Sequence, residues 1–261
     1  MQLLYPSDPF DKKSPDECYR EEYEAALSIG LSCSLFSLED FEIGDFRTRP
    51  ALETNGKVLY RGWMLTPDRY SKLCEAIEGK GAVPITKLDD YVNCHHLPNW
   101  YPLCEEFTPQ TVVLPKDADF VEALSGLEWP AYFVKDYVKS LTTSRGSLAR
   151  SPAEVAEIVG LIEGSRGQIE GGICVRRFEN FMPDTEERYF VMHGNACGRG
   201  DSIPDVVQRI AEIVRCPFFS VDVVTAQDGT LRLVELGDGQ VSDRKQWTAE
   251  RFLQVLKAAA D

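Results

Sequence analysis

The residues best suited to chemistry are two acids, Asp222 and Glu235, which lie in apolar stretches on either side of an Asp-Gly pair at residues 228–229. An Asp-Gly pair between two apolar strands is a strong signal for a two-residue hairpin turn. With that turn, Gln227 pairs with Thr230, and Asp222 falls directly opposite Glu235 on the same face of the hairpin. The sequence therefore predicts that two carboxylates face each other.

Two facing carboxylates repel each other and need a compensating charge. Their Cβ atoms would be only ~5 Å apart, and at an effective dielectric constant of about 20 two like unit charges at that distance repel by ~3 kcal/mol. A divalent cation removes this repulsion, and Mg2+ accepts oxygen ligands from one or two carboxylates together with water and substrate phosphate. Asp238 and Gln240 follow among glycines, which could let either side chain turn back toward the same ion.

Two other arrangements would remove the need for a metal ion. The register of the hairpin could be slipped by one residue, which turns every side chain to the other face. Alternatively, a lysine or an arginine could lie between the two acids. Both alternatives are open at the level of the sequence.

A lysine, Lys135, interrupts a predicted apolar strand at residues 132–138, and a loop rich in Ser and Thr with one Gly follows at residues 140–147. A cation followed by such a loop favours nucleotide phosphates as ligands of Lys135, with Lys139 as a weaker candidate on the same strand face. The loop does not have the Walker spacing with its terminal Lys-Ser/Thr. The alternatives are an edge-strand lysine that discourages aggregation at position 135 and a solvated side chain at position 139.

A second cluster, Cys94, His95, His96 and Cys104, contains the thiol and imidazole groups that zinc selects. Three adjacent ligands fit one ion poorly, because neighbours in an extended chain point in opposite directions. We therefore expect a packed loop here and not a zinc site, with a substrate contact by His95 left open.

The elements that must position these residues alternate between strand and helix patterns. The predicted helices span residues 15–31, 66–78, 151–163, 204–215 and 248–260, and the predicted strands span 33–38, 57–60, 131–138, 173–178, 188–193 and the two arms around 228–229. An aromatic and proline-rich passage at 87–115 is interpreted as a segment that crosses between domains. We predict an α+β protein with an α/β N-terminal domain at 1–127 and a mostly antiparallel domain at 128–261.

The composition excludes several classes of protein. Among 261 residues, 28 are Lys or Arg and 42 are Asp or Glu, which gives a formal net charge of -14. A surface this acidic disfavours nucleic acid and anionic membranes as partners. The first residues lack the basic and apolar regions of a secretory signal, and the eight cysteines are too dilute for a disulfide scaffold. We expect a cytoplasmic protein with reduced thiols.

The order of these motifs resembles the ATP-grasp superfamily. The resemblance rests on a Lys-bearing strand at 133–136, the loop at 140–147, a strand at 175–179, a strand at 186–191 followed by a Gly turn, and the acidic hairpin, whose last strand continues as Glu-x-Gly-Asp-Gly-Gln at 235–240. It covers roughly the second half of the chain, and its texture is similar to that of small bacterial members of unassigned substrate.

The resemblance implies a site in which ATP lies between two antiparallel β-containing lobes. It assigns the nucleotide phosphates to Lys135, with Lys139 and Arg188 as further nucleotide-binding residues, and the adenine edge to Arg177, Phe178 and Glu179. It also assigns Mg2+ to three acids, namely Asp222, Glu235 and Asp238. Such enzymes usually activate a carboxylate as an acyl phosphate, which an amine then attacks.

The sequence departs from the ATP-grasp pattern at two positions. Many ATP-grasp ligases have an arginine where this chain has Ser220 and an asparagine where it has Gly237. We expect Arg188, Arg61 or Arg176 to supply the missing charge, with Arg188 and Arg61 as the catalytic candidates. The expected activity is an ATP- and Mg2+-dependent carboxylate–amine ligase for an amino acid or peptide. The alternative is an ATP-binding assembly or regulatory factor that acts on a protein partner.

Overall fold

The structure, a computed structural model, describes residues 1–141 and 143–259. The strands in these residues are β1 (Gln2–Pro6), β2 (Ser32–Phe36), β3 (Thr48–Arg49), β4 (Lys57–Tyr60), β5 (Val83–Pro84), β6 (Thr111–Leu114), β7 (Tyr132–Asp136), β8 (Leu148–Ala149), β9 (Ile173–Arg177), β10 (Glu187–Met192), β11 (Asn195–Cys197), β12 (Phe218–Thr225) and β13 (Leu231–Asp238). The α-helices are α1 (Arg20–Ser28), α2 (Leu38–Glu42), α3 (Pro67–Gly79), α4 (Leu88–His95), α5 (Leu97–Cys104), α6 (Phe120–Leu124), α7 (Pro152–Arg166), α8 (Asp205–Ile213) and α9 (Ala249–Ala258). Short 3-10 helices span Glu17–Tyr19 and Glu105–Phe107.

The chain divides into two compact units. The first unit comprises Met1–Val92, Arg188–Ser220 and Gly237–Asp261, and the second comprises Asn93–Glu187 and Val221–Leu236. Both units are therefore built from separate stretches of sequence. The functional boundary expected between residues 127 and 128 remains a prediction. Across the described residues, no helix is both long and apolar enough to cross a membrane, and all eight cysteines are free thiols.

A mostly parallel sheet forms the centre of the first unit. Its strand order is β3-β2-β1-β4-β5, and β1 pairs in parallel with both β2 and β4. Leu3, Leu4 and Tyr5 of β1 are fully buried and belong to two different apolar clusters. Successive side chains of a strand point to opposite faces, so both faces of this sheet are covered, as parallel sheets require.

An antiparallel sheet with the order β6-β9-β7-β8 supports the second unit. One face of β7 and β9, including Val134 and Val175, packs in a cluster with Ile158 and Ile162 of α7. The start of α7 is fixed by Ser151, whose side chain accepts a hydrogen bond from the backbone N–H of Glu154. The predicted start of this helix is confirmed.

A third sheet, with the order β11-β10-β12-β13, contains the acidic hairpin. The predicted two-residue loop is wrong. The N–H of Ala226 donates to the carbonyl of Thr230, so the loop has three residues, 227–229, and Gln227 does not pair with Thr230 as expected. Gly229 closes the loop with a φ of 86°, which is typical of a type I turn followed by a bulge.

The change of register at the loop is reversed further along the hairpin. At the other end, the N–H of Gly239 donates to the carbonyl of Phe218. Since β13 needs one residue more than β12 between these two points, it contains a bulge. Leu233 and Leu236 are both buried although three positions apart, which agrees with a break in the alternation of β13.

Most predicted elements agree with the structure within a few residues. The strand at 57–60 coincides with β4, and the helix at 66–78 is α3, which has Thr66 as its N-cap and Pro67 in its first turn. The helix predicted at 15–31 is shorter, with a 3-10 turn before α1. The helix predicted to end at Ala260 is α9, and Ala260 lies outside the described residues.

The passage at 87–115 is more regular than a crossing segment. It contains α4, α5 and β6, with Pro98 in the first turn of α5 and Pro102 inside that helix. A proline at the start of a helix is tolerated because the backbone N–H there has no intrahelical partner. The proline content that favoured an irregular segment was therefore misleading.

Candidate functional site

The polar face of β7 and β9 carries the candidate site of the second unit. Lys135 of β7 pairs with Cys174 of β9, and Phe133 pairs with Arg176. Directly opposed residues of an antiparallel pair share a face. The opposite face of both strands packs in the apolar core, so this arrangement leaves Lys135 and Arg176 on the side that can receive a ligand.

A pocket of about 190 Å3 lies on this face and is called the basic pocket. Its lining consists of Phe133, Lys135, Val138, Lys139, Ser140, Arg176, Val234 and Glu235. The Nζ atom of Lys135 lies 2.6 Å from Oε1 of Glu235. The Lys135 side chain is 6% exposed, whereas that of Glu235 is 39% exposed. One alternative left open by the sequence is therefore realised for Glu235, since a lysine lies against it.

Arg176 is the second cation of the basic pocket. Its Nη1 donates to the carbonyl of Val234 at 2.8 Å, and its Nη2 donates to Oγ1 of Thr108 at 2.6 Å. The hydroxyl of Thr108 in turn donates to the carbonyl of Leu233. The Nε atom of Arg176 is buried without a hydrogen-bond partner. Burial lowers the pKa of Arg176 to about 10, opposed by the charge of Glu235, so the guanidinium remains charged at neutral pH.

The grounds for selecting Arg176 from the sequence are weak. It is one of three arginines expected to supply charge, and its neighbour Arg177 is the one expected at the adenine edge. The signal that distinguishes the two is strand alternation: Arg176 faces the pocket, and Arg177 is exposed.

The turn after β7 is organised by Asp136. Its Oδ1 accepts hydrogen bonds from the N–H groups of Val138 and Lys139, and its Oδ2 accepts from the N–H of Glu170. This turn brings Lys139 to the rim of the basic pocket. Thr142, within the loop expected to cover a triphosphate, lies outside the described residues.

The residues expected at the adenine edge line a separate pocket of the second unit. This pocket contains Arg177, Phe178 and Glu179 together with the hairpin loop. The N–H of Phe178 donates to the carbonyl of Ala131. The carboxylate of Glu179 receives two hydrogen bonds from Arg232, at 2.8 and 3.0 Å. Glu179 is therefore held by a bidentate pair that a ligand would have to accommodate.

The three acids selected for a metal belong to different units. Asp222 and Glu235 are part of the second unit, and Asp238 is part of the first. Asp222 is 2% exposed. Oδ1 of Asp238 accepts from the backbone N–H and from Nε2 of Gln240, while its Oδ2 is buried without a hydrogen-bond partner. Burial raises the pKa of Asp238 to about 7, opposed by the hydrogen bonds from Gln240.

Mg2+ does not require a complete protein cage. In the described part of the chain, no three His, Cys, Asp or Glu residues are grouped so that they could hold a metal ion. Mg2+ is commonly bound by one or two carboxylates together with substrate phosphates and water. The donor chemistry of Asp222 and Glu235 fits such a site, in which the nucleotide completes the coordination.

The two arginines selected for catalysis lie in the first unit and differ in their surroundings. Arg61 is buried; its Nε and Nη2 donate to Glu22, and its Nη1 donates to the carbonyls of Gly239, Gln240 and Ser242. These contacts are those of a structural residue. Arg188 instead donates to Asp243, whose side chain is 78% exposed.

The cysteine and histidine cluster lies at the junction of α4 and α5. Cys94 and His95 are in the last turn of α4, His96 is the N-cap of α5, and Cys104 ends that helix. The prediction of a packed loop is replaced by two packed helices, and the described residues contain no metal-binding group here. Burial lowers the pKa of His95 to about 4, so its imidazole is neutral at physiological pH.

Three solved structures resemble the whole chain. D-cycloserine synthetase DcsG has 14% sequence identity, covers 100% of both chains and gives a TM-score of 0.62. ATP-grasp ligase PsnB, complexed with precursor peptide PsnA2 and AMPPNP, has 13% identity, covers 100% of this chain and 97% of its own, and gives 0.64. Macrocyclase MdnC, bound with precursor peptide MdnA from Microcystis aeruginosa MRC, has 12% identity, covers 99% and 100%, and gives 0.59.

At these identities the likeness establishes a common fold. It confirms the predicted fold class, in which helices are mixed with antiparallel sheets. None of the curated protein sequences matches the chain. Residues 91–256 match a family described as an ATP-grasp domain, the third family of its clade. Since this match covers more than half of the 261 residues, the chain belongs to this ATP-grasp domain family.

Proposed function

We propose that the protein is an ATP- and Mg2+-dependent ligase that joins a carboxylate to an amine of an amino acid or peptide. The observation that carries this proposal is the pairing of Lys135 with Glu235 in a pocket that also receives Arg176. A bound triphosphate would replace Glu235 as the partner of Lys135. The freed carboxylate would then be available to a metal ion that neutralises the phosphates.

The residues of the second unit would divide the nucleotide between them. Lys135, Lys139 and Arg176 would bind phosphate oxygens, with the free Nε of Arg176 as one donor, and Arg177–Glu179 would contact the adenine edge. Asp222 and Glu235 would hold Mg2+, which supplies positive charge beside the transferred phosphoryl group. Asp238, with its buried and unpartnered Oδ2, stays a predicted ligand of Mg2+.

The proposed reaction has two balanced steps. A carboxylate oxygen attacks the γ-phosphorus of ATP, which forms an acyl phosphate and releases ADP. An amine then attacks the acyl carbon, so that a C–N bond forms, phosphate leaves and the amine loses a proton. Lys135 and Arg176 would stabilise negative charge on the phosphoryl oxygens. Arg188 is the better of the two predicted catalytic arginines, because its partner is exposed and replaceable.

Acceptor-dependent turnover tests the ligase proposal. The purified chain is incubated with ATP and Mg2+, with or without mixtures of amino acids and peptides, and released ADP is measured. The ligase predicts ADP release that depends on an added acceptor and is lost when Asp222→Asn is combined with Glu235→Gln. A variant with Glu157→Gln and Glu163→Gln, two exposed acids of α7, has the same charge change and should keep the activity.

A second function is favoured by the first unit. A Cβ atom on Gly237 would lie 3.0 Å from the hydroxyl oxygens of both Ser220 and Ser242. An asparagine, the usual residue of the resembling ligases, would therefore need these serines to move. This observation favours an ATP-binding assembly or regulatory factor, which would show a Mg2+-dependent rise in melting temperature with ATP and no acceptor-dependent ADP release.

A further inference from the structure

The first unit contains a pocket of about 460 Å3 that the proposed reaction does not use. This volume is within the range of ~300–1,000 Å3 that is usual for ligand pockets. We call it the loop pocket, and it is formed by residues 10–13, 35–37, 40 and 45–49. These residues lie at or after the carboxyl ends of the parallel strands β1 and β2. In α/β sheets, ligands commonly bind at this end of the strands.

The charge of the loop pocket differs from that of the protein as a whole. Its lining has four cations and three acids, namely Lys12, Lys13, Arg47 and Arg49 with Asp11, Asp40 and Asp45, although the net charge of the chain is -14. Lys12 is 2.6 Å from Asp40, and Arg47 is 2.8 Å from Asp45. Within the described residues, Lys13 and Arg49 make no ion pair, so both cations are available to an anionic ligand.

An exposed aromatic ring stands at the same pocket. Phe10 is 99% exposed, yet its loop is held in place. The N–H of Asp8 donates to the carbonyl of Ser14, and Oδ1 of Asp8 accepts from the N–H groups of Phe10 and Asp11. The loop therefore presents the ring to solvent in an organised conformation. Aromatic rings contribute strongly when a partner covers them.

An open strand edge borders the loop pocket. In the sheet order of the described residues, β3 has β2 as its single neighbour, through the pairs Leu35 with Arg49 and Phe36 with Thr48. The outer edge of such a strand offers backbone groups to another extended chain. This edge favours a peptide as the occupant over a small anion, which would need only the cations.

We propose that the loop pocket binds an extended acidic segment of a polypeptide partner. Carboxylates of the segment pair with Lys13 and Arg49, an apolar side chain covers Phe10, and the backbone of the segment extends along β3. This site lies in a different unit from the basic pocket, and the proposal does not rest on ligase activity.

Fluorescence anisotropy of the full chain tests the site. The probe is a labelled peptide of alternating Glu and Val, and its counterpart has Gln in place of Glu; both are titrated at about 0.15 M salt, where exposed charges further apart than roughly 8 Å are screened. The acidic peptide should bind at least tenfold more tightly than the neutral one. Lys13→Glu combined with Arg49→Glu should weaken the binding at least tenfold, and Phe10→Ser should weaken it severalfold.

The matched control combines Lys57→Glu with Lys80→Glu, two exposed lysines of the same unit outside the pocket. It has the same net charge as the pocket variant and should bind the acidic peptide within about twofold of the unmodified protein. Melting temperatures establish that each variant is folded, and Phe10→Ser alters a side chain without a packing role. The proposal is overturned by equal loss in pocket and control variants, by no binding at millimolar peptide, or by a single-stranded oligonucleotide that displaces the peptide.

Discussion

Lys135 and Glu235 form an ion pair with 2.6 Å between Nζ and Oε1, although 100 residues separate them along the chain. The lysine belongs to β7 and the acid to β13. Because Glu235 is partly exposed while Lys135 is nearly buried, the acid can leave the lysine at a smaller desolvation cost than the lysine can leave the pocket. The pair therefore provides a positive group for phosphates and a carboxylate for a metal ion at the same place.

Replacing the lysine should weaken nucleotide binding. In Lys135→Met, the lost hydrogen bond to a charged phosphate is worth roughly 1.5–3 kcal/mol, which corresponds to a loss of at least about tenfold in affinity. Calorimetric titration with a non-hydrolysable ATP analogue and Mg2+ measures this change. Lys116→Met is the control, since Lys116 pairs with Glu163 on the surface of the same unit at 3.1 Å. Equal affinity of both variants would contradict a phosphate role for Lys135.

Removing Arg61 should destabilise the protein more than it affects any reaction step. Arg61→Met leaves the carboxylate of Glu22 buried without its cation, and breaking a buried pair in this way costs roughly 3–5 kcal/mol. Urea unfolding measures the loss. Arg69→Met, which breaks an exposed pair with Glu42, should cost less than about 1 kcal/mol. Unchanged stability together with lost turnover would instead support the predicted catalytic role of Arg61.

The stability of the metal-free protein should depend on the protonation of Asp238. Burial raises the pKa of Asp238 from 3.8 to about 7, so between these values the folded protein holds a proton that the unfolded chain has released. The free energy of unfolding therefore falls as the pH rises through this window. Asp238→Asn removes this contribution, and its stability relative to the unmodified protein should increase from about pH 5 to about pH 8. A difference in unfolding free energy that stays constant between these two pH values would refute the shift.

The hairpin loop should be sensitive to the residue at position 229. Gly229 has a φ of 86° and open space around a Cβ atom, so Gly229→Ala tests the backbone conformation alone and should cost roughly 1–2 kcal/mol. Gly160→Ala is the matched change within α7, where a Cβ atom also meets open space. It should stabilise the helix by roughly 0.5–1 kcal/mol. Thermal unfolding of both variants gives the two signs, and destabilisation by both would contradict the assigned backbone conformation at Gly229.

Local signals in the sequence were sufficient for many elements. The pair Thr66-Pro67 marked the start of α3, Ser151 marked the start of α7, and an apolar run marked β4. Each of these signals depends on groups within a few residues, because a cap or a strand pattern is made by the nearby chain itself. The order of the motifs along the chain was likewise enough to identify the ATP-grasp family.

The hairpin shows where such local reasoning ends. The Asp-Gly pair correctly located the turn, but Oδ1 of Asp228 accepts hydrogen bonds from the N–H and the hydroxyl of Thr230, and the loop closes with three residues. A bulge in β13 then offsets the change in register. Register depends on side-chain contacts and on both neighbouring strands, so an ideal turn type cannot predict it alone.

The sequence by itself determined which residues carry charge in each strand, where helices begin and which family the chain belongs to. Only the tertiary structure decided that Glu235 meets Lys135, that Arg176 is buried beside them and that the guanidinium of Arg61 is held by Glu22. The physical reason is that helix starts and strand patterns are set by neighbours along the chain. The partner of a buried charge is instead set by the order in which distant strands and helices pack.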